Sequence, residues 1–334
     1  MKVLHIGKQG NMEKYAAADS FLLTLDRVDL PRGLSVEEYL KEAADAEFLV
    51  ADAIVPVPGE LIRRMPSLRM IHSEGVAFNS IDLAAADECG VYVCNCQGMN
   101  AAAVAEQTLL LMLGILRDVV NGDRSVREGR QIEVKEAYIS NGNLHELRDC
   151  SVGLVGFGNI ARETAALLRA FGVKDIRYYK RNPLSGEEEE TLGVKYLPLD
   201  DLLSQSDFVS LHVPVTPETM HLADRDFFSR MKAGSFFINT SRGELVDDEA
   251  LLDALESGQV AMAGLDTLDL EPVKADHPLL GRPSVQDRLL LAPHIGGITS
   301  SSFRRGYAMI SEDIRAMAEG REPMHIVNHP GRRP

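Results

Sequence analysis

Short apolar runs separated by helix-length stretches recur along this chain, and that alternation constrains its fold more than any other feature. The first part carries Val3-Leu4-His5-Ile6, Glu47-Phe48-Leu49-Val50-Ala51, Met70-Ile71-His72 and Val91-Tyr92-Val93, with helical patterns such as Val36 to Ala46 between them. Strands that alternate with helices build parallel sheets, because parallel neighbours need a crossover long enough to hold a helix. At Ser151 the alternation restarts. Strands are expected at Val152 to Val155, Ile176 to Tyr179, Phe208 to Leu211, Ser235 to Asn239, Val260 to Gly264 and Leu289 to Leu291, with a helix from Ala161 to Ala170.

The chain between these two series reads as a long helix from Ala101 to about Val120, followed by a polar stretch, Asn121 to Asp149, whose weak periodicity predicts a connector. Ser301 to Gly320 reads as a final helix, before a Pro- and Arg-containing tail expected to be loosely ordered. The acidic run Glu187 to Glu190 reads as a solvated loop.

A chain of 334 residues has room for two domains. Its 45% apolar and 25% charged residues exclude a disordered, collagen-like or coiled-coil protein. The net charge of −15 repels phosphate backbones and anionic lipid surfaces, so neither nucleic acid nor a membrane is an expected partner. The most apolar region, Thr108 to Leu116, is about half the roughly 20 residues needed to cross a bilayer and reads as a buried helix. Four cysteines make no disulfide framework, and the N-terminus enters a strand without the features of a secretory signal, so a cytoplasmic location is expected. Cys94-Asn95-Cys96 has no second cysteine pair at zinc-like spacing, and no metal site is expected.

Gly156-Phe157-Gly158-Asn159-Ile160-Ala161 follows a strand and opens a helix, the context that a dinucleotide fingerprint requires. Gly156 permits the tight turn, Gly158 lets the backbone of Gly158, Asn159 and Ile160 approach a pyrophosphate, and the small Ala161 allows close helix–strand packing. About twenty residues on, an NAD site would normally place a carboxylate to hold the ribose hydroxyls. Lys180-Arg181-Asn182 stands there instead. Arg181 can pair with a 2′-phosphate in bidentate fashion and Lys180 adds a point charge, so the turn favours NADP(H). The alternative is NAD held through other contacts.

Three further segments each follow an expected strand: Asn239-Thr240-Ser241-Arg242-Gly243, Gly264-Leu265-Asp266 through Glu271-Pro272, and Ala292-Pro293-His294-Ile295-Gly296-Gly297. Ligands of open α/β sheets bind beyond the carboxyl ends of the strands, which nominates Arg242, Glu271 and His294 as chemistry-bearing residues.

Together these segments resemble the D-isomer-specific 2-hydroxyacid dehydrogenases. The likeness spans nearly the whole chain and includes Gly75-Val76, Ile81-Asp82, Val104-Ala105-Glu106 and His212-Val213-Pro214 with Thr216 and Thr219. The resemblance implies two Rossmann-like or flavodoxin-like α/β domains with parallel sheets and the cofactor in the cleft between them. A discontinuous substrate-binding domain would span 1–98 plus 298–334, and a dinucleotide-binding domain 99–297. It also implies a homodimer, and hydride transfer between NAD(P)H and C2 of a small anionic 2-keto or D-2-hydroxy acid.

On this resemblance His294 is the general acid/base, since an imidazole exchanges protons near neutral pH. Glu271 orients it and favours the imidazolium, and Arg242 clamps the substrate carboxylate and polarises the C2 carbonyl. The resemblance further places Thr240, Ser241, Asp266, Gly296, Gly297, His212, Val213, Pro214 and Thr219 at the cofactor, alongside Arg242 and His294. It gives Gly75, Val76 and Asn100 to the substrate. Glu74 departs from this pattern, because a carboxylate facing an anionic substrate would be unfavourable; either it points away or the substrate has a polar or cationic distal group. The other reading is an NAD(P)-sensing binding protein of the kind found among corepressors that share this fold.

Overall fold

Each expected strand is found in one of two sheets of the computed structural model, in which every strand pair is parallel. The structure describes residues 1–330; the last part of the tail expected to be loosely ordered, from Gly331, lies outside the described residues. The chain divides into two compact units, one made of Met1–Asn100 and the chain from Ile298 on, the other of Ala101–Gly297.

In the first unit the elements run β1 (Lys2–Ile6), α1 (Asn11–Tyr15), β2 (Asp26–Leu30), α2 (Val36–Ala43), β3 (Phe48–Ala51), α3 (Gly59–Arg63), β4 (Met70–Ser73), α4 (Leu83–Glu88) and β5 (Tyr92–Cys94). The sheet order is β2-β1-β3-β4-β5, the flavodoxin-like order. Strand β2 was not expected. Its sequence Asp-Arg-Val-Asp-Leu has only two apolar residues, Val28 and Leu30, and as an edge strand it needs to bury only that face.

The second unit begins with α5 (Ala101–Leu116), α6 (Val119–Arg127) and α7 (Gln131–Asn141). It continues β6 (Ser151–Val155), α8 (Asn159–Ala170), β7 (Asp175–Tyr179), α9 (Gly186–Leu192), β8 (Lys195–Tyr196), α10 (Leu199–Gln205), β9 (Phe208–Leu211), α11 (Arg225–Arg230), β10 (Ser235–Asn239), α12 (Asp248–Ser257), β11 (Val260–Leu265) and β12 (Leu289–Leu291). Its sheet runs β12-β11-β10-β9-β6-β7-β8. Numbered within the unit this is the Rossmann order with one strand added, and the order reverses between β6 and β9, where the fold binds ligands.

Three expectations are corrected here. Helix α5 stops at Leu116 rather than near Val120, because the chain passes through the left-handed region at Asp118, with φ 44°, before α6 begins. The polar stretch after it is not a connector but contains α6 and α7; α7 buries no residue, so it has no apolar stripe to betray its period. The acidic run is helical as well. Ser185 and Glu188 form a capping box, and the glutamates occupy the first turn of α9, where the helix dipole favours negative charge.

The chain returns to the first unit through α13 (Ser300–Ala318), which buries Tyr307, Ile310 and Ile314 against Val3, Phe48 and Val50. Each such isoleucine contributes about 1.5–3 kcal/mol by leaving water. Beneath it lies a polar clamp. Buried Asp313 meets His72 Nε2 at 3.1 Å and His325 Nδ1 at 2.8 Å, and accepts the Met324 N–H at 2.7 Å. Burial would raise the Asp313 carboxyl, but these partners outweigh it and hold the group below its ordinary value.

Candidate active site

Strand β6 delivers the chain to Gly156 at the point where the strand order reverses. Gly156 has φ 93°, and a Cβ there would lie 2.4 Å from the His212 carbonyl oxygen, so only glycine fits between the turns that follow β6 and β9. Gly158 caps α8 without a side-chain partner, and a Cβ built on it meets nothing within 4 Å. Open space thus stands over a helix N-terminus whose first N–H groups have no intrahelical acceptor, which fits the pyrophosphate of a dinucleotide. His212 completes this wall: burial pushes its imidazole down to about 4, Nε2 contacts Ser210 Oγ at 2.9 Å, and Nδ1 is buried without a partner among the described residues.

Lys180, Arg181 and Asn182 follow β7 at the same sheet edge, with Arg181 and Asn182 exposed. Neither Lys180 nor Arg181 has an ion pair among the described residues, although Glu218 lies near enough to Arg181 to feel its charge. Thr219 is engaged in its own turn, its hydroxyl donating to the Pro214 carbonyl at 2.7 Å and accepting the Thr216 N–H at 2.7 Å. Thr240 Oγ1 pairs with Thr108 Oγ1 at 2.9 Å and Ser241 Oγ donates to the Leu211 carbonyl at 2.8 Å, so both hydroxyls brace β10 against its neighbours.

Arg242, Glu271 and His294 all belong to loops at the carboxyl ends of neighbouring strands β10, β11 and β12. His294 Nδ1 lies 2.7 Å from Glu271 Oε2, with both side chains about two-fifths exposed. Nδ1 bound to a carboxylate carries its proton there in the neutral ring, which leaves Nε2 to exchange a proton with a ligand. Arg242 is exposed, and its guanidinium donates to the Ser241 carbonyl at 2.7 Å; it has no ion pair among the described residues. A guanidinium left without a carboxylate partner is suited to receive one from a ligand.

The turn carrying His294 is costly, since His294 has φ 55°, a conformation that L-residues adopt at a penalty of about 1–2 kcal/mol. Asp266 stabilises it. Its buried carboxylate accepts the Ile295 N–H at 3.0 Å and the Gly296 N–H at 2.8 Å, and Gln107 on α5 donates to it at 3.3 Å. Gly243 does the same for Glu271: a Cβ there would fall 1.9 Å from the Leu268 carbonyl carbon, so the residue after Arg242 packs directly on the peptide that leads to Glu271. Gln107 and Gly243 were not singled out from the sequence, because their roles depend on what packs against them. A glutamine on an apolar helix face was the available signal.

In the first unit, Gly75 and Val76 follow β4. The Cys96 N–H donates to the Gly75 carbonyl at 2.9 Å and Asn95 to that of Val76 at 2.7 Å, which fixes this turn, and Asn100 is half-buried. Glu74 turns into the unit's interior. It is buried, meets His5 Nε2 at 3.3 Å, accepts from Asn11 at 3.2 Å and accepts the Tyr307 hydroxyl. Of the two alternatives for Glu74, its side chain takes the first.

The model of the D-isomer specific 2-hydroxyacid dehydrogenase, NAD binding domain, matches residues 109–296. Glyoxylate reductase of Korarchaeum cryptofilum is 35% identical over 289 residues, covering 86% of this chain and 85% of that protein. Hydroxypyruvate reductase of Blautia hydrogenotrophica is 31% identical over 308 residues, covering 92% and 91%. Among solved structures, apo D-mandelate dehydrogenase of Rhodotorula graminis aligns with a TM-score of 0.84 at 27% identity, covering 99% of this chain and 98% of that one. The fold and these matches define a nicotinamide-dependent oxidoreductase. The chain belongs to the D-isomer-specific 2-hydroxyacid dehydrogenase family.

Proposed function

We propose that this protein reduces a small 2-keto acid to a D-2-hydroxy acid, with NADP(H) preferred to NAD(H). The observation that carries the reading is the 2.7 Å Glu271–His294 contact, with Arg242, free of any ion pair among the described residues, on the loop after the adjoining strand. When bound, the nicotinamide supplies the hydride that reaches C2. His294 then delivers the proton from Nε2 to the developing alkoxide, and Glu271 stabilises the imidazolium and keeps the ring in place. Arg242 takes the substrate carboxylate and polarises the C2 carbonyl. The backbone at Gly75 and Val76, with Asn100, is assigned to the substrate as well. In the oxidation direction the same groups run in reverse.

The glycine turn would hold the pyrophosphate, His212 to Pro214, Thr219, Thr240, Ser241, Asp266, Gly296 and Gly297 would line the rest of the dinucleotide, and Lys180 and Arg181 would take the 2′-phosphate. Glyoxylate and hydroxypyruvate, named for the relatives, are the first substrates to test. A second copy of the chain is assigned to the groove between α6 and α7. This groove, of about 420 Å³, is lined by Val126, Val134, Tyr138, Ile139 and Leu144, and exposed apolar patches of this kind mark protein contacts. Buried thiols at Cys94, Cys96 and Cys150 suit the reducing cytoplasm.

Steady-state reduction of glyoxylate, hydroxypyruvate and pyruvate by NADPH and by NADH tests the reading. Turnover on at least one keto acid is expected. Tight cofactor binding without turnover on any would replace the reductase with a cofactor sensor.

A further inference from the structure

Glu271 stands on the loop that leaves β11, where Asp269 Oδ1 accepts the Leu270 N–H at 2.8 Å and Leu268 is buried in the core. Leu270, with φ 56°, is 71% exposed, and Glu271 accepts the Leu268 N–H of its own turn at 3.4 Å. Two contacts from outside the turn also hold its backbone. Gly243 packs on the Leu268–Asp269 peptide from one side. From the other, His277 folds back from the end of the loop and its Nε2 lies 3.0 Å from the Asp269 carbonyl oxygen.

The His277 ring is buried and its tautomer follows from its partners. Nδ1 accepts the Leu279 N–H at 3.3 Å, so the proton sits on Nε2, which donates to Asp269. Asp248, the first residue of α12, faces the same nitrogen at 3.5 Å. Its carboxyl is pushed up to about 6, chiefly by burial. A buried ring with both nitrogens committed is a rigid strut, and here it runs from the base of a short helical turn to the peptide two residues before Glu271.

We infer that His277 is a positioning residue for the Glu271–His294 pair, acting through its Nε2 hydrogen bond to the Asp269 carbonyl. The inference rests on the reading of Glu271 and His294 as the acid/base pair. Without the strut, the turn at Asp269 to Glu271 loses the contact that holds the Asp269 carbonyl, and the carboxylate no longer stays within 2.7 Å of the ring. Misplacement of a catalytic group by about 1 Å costs up to about 100-fold in rate.

Two substitutions in the full-length protein separate this role from general stabilisation. Asparagine at 277 keeps an acceptor near the Nδ1 position, and so the cap on Leu279, but loses the Asp269 bond. Glutamine reaches the Nε2 position and keeps a donor to Asp269 while losing the cap. His277→Asn is expected to lower kcat about tenfold or more, leave the Kd for NADPH within about twofold, and shift the pH profile of kcat/KM in the same direction as Glu271→Gln. His277→Gln is expected to retain most of kcat and the native profile. Native kcat and profile in His277→Asn, with Glu271→Gln impaired, overturns the positioning role, as does equal or greater impairment of His277→Gln. Native turnover in Glu271→Gln overturns the acid/base reading itself, and the inference with it.

Discussion

Asp266 holds Gly296 by its backbone: Oδ2 accepts the Gly296 N–H at 2.8 Å while Oδ1 accepts the neighbouring Ile295 at 3.0 Å. This single carboxylate keeps His294 in a left-handed conformation that would otherwise relax. Asp266→Asn turns one acceptor into a donor facing an N–H. We expect it to cost about 1–3 kcal/mol in denaturant unfolding and to lower kcat about tenfold or more. Native values of both would remove Asp266 from the support of the site.

Gly243 offers a steric test. Gly243→Ala drives a methyl group into the Leu268–Asp269 peptide, 1.9 Å from a backbone carbon that has no side-chain freedom to yield. Overpacking of this kind costs about 1–3 kcal/mol, and because the displaced peptide leads to Glu271, activity should fall even where the variant remains folded. Thermal unfolding and kcat measured together check this; full activity at native Tm would mean that the loop moves freely.

Arg181→Ala should weaken NADPH at least about tenfold more than NADH, because only the former offers a 2′-phosphate to a bidentate guanidinium. Titration of nicotinamide fluorescence gives both constants. Equal losses would sink the assignment of Lys180 and Arg181.

Much of this is legible in the sequence. The alternation of apolar runs marks ten of the twelve strands among the described residues, and the glycine turn is placed by its strand–helix context. What escaped was of one kind. Strand β2 has two apolar residues, α7 has no buried face, and α9 is announced by a cap rather than by a stripe. A reading based on hydrophobic period is blind to elements that bury little. At the site, the three charged side chains stood out by chemistry, whereas Gly243, Gln107 and His277 act on backbone or on another residue's carboxylate, and such roles exist only once distant segments meet. Glu74 illustrates the same limit, since its partners come from β1, α1 and α13.

The polar clusters of the first unit should make its stability depend on pH in two directions. Asp313 is held below its ordinary 3.8, so its contribution is present above that value and lost as pH falls through the folded one. His5 is raised above 6.5: burial lowers it, but Glu74 and Asp29 outweigh burial, so its contribution is present below 6.5 and lost as pH rises through the folded value. Urea midpoints measured across pH should fall at both ends. Asp313→Asn should flatten the acid arm, and His5→Gln the other; unchanged arms in either variant would refute that assignment.

The central claim is that His294 gives and takes the proton. It is tested by comparing His294→Gln with the native protein in single-substrate turnover and in NADPH binding. Loss of about 10²- to 10⁴-fold in kcat with Kd for NADPH changed less than about twofold is the predicted result. Turnover within a few-fold of native would contradict it and remove His294 from the chemistry.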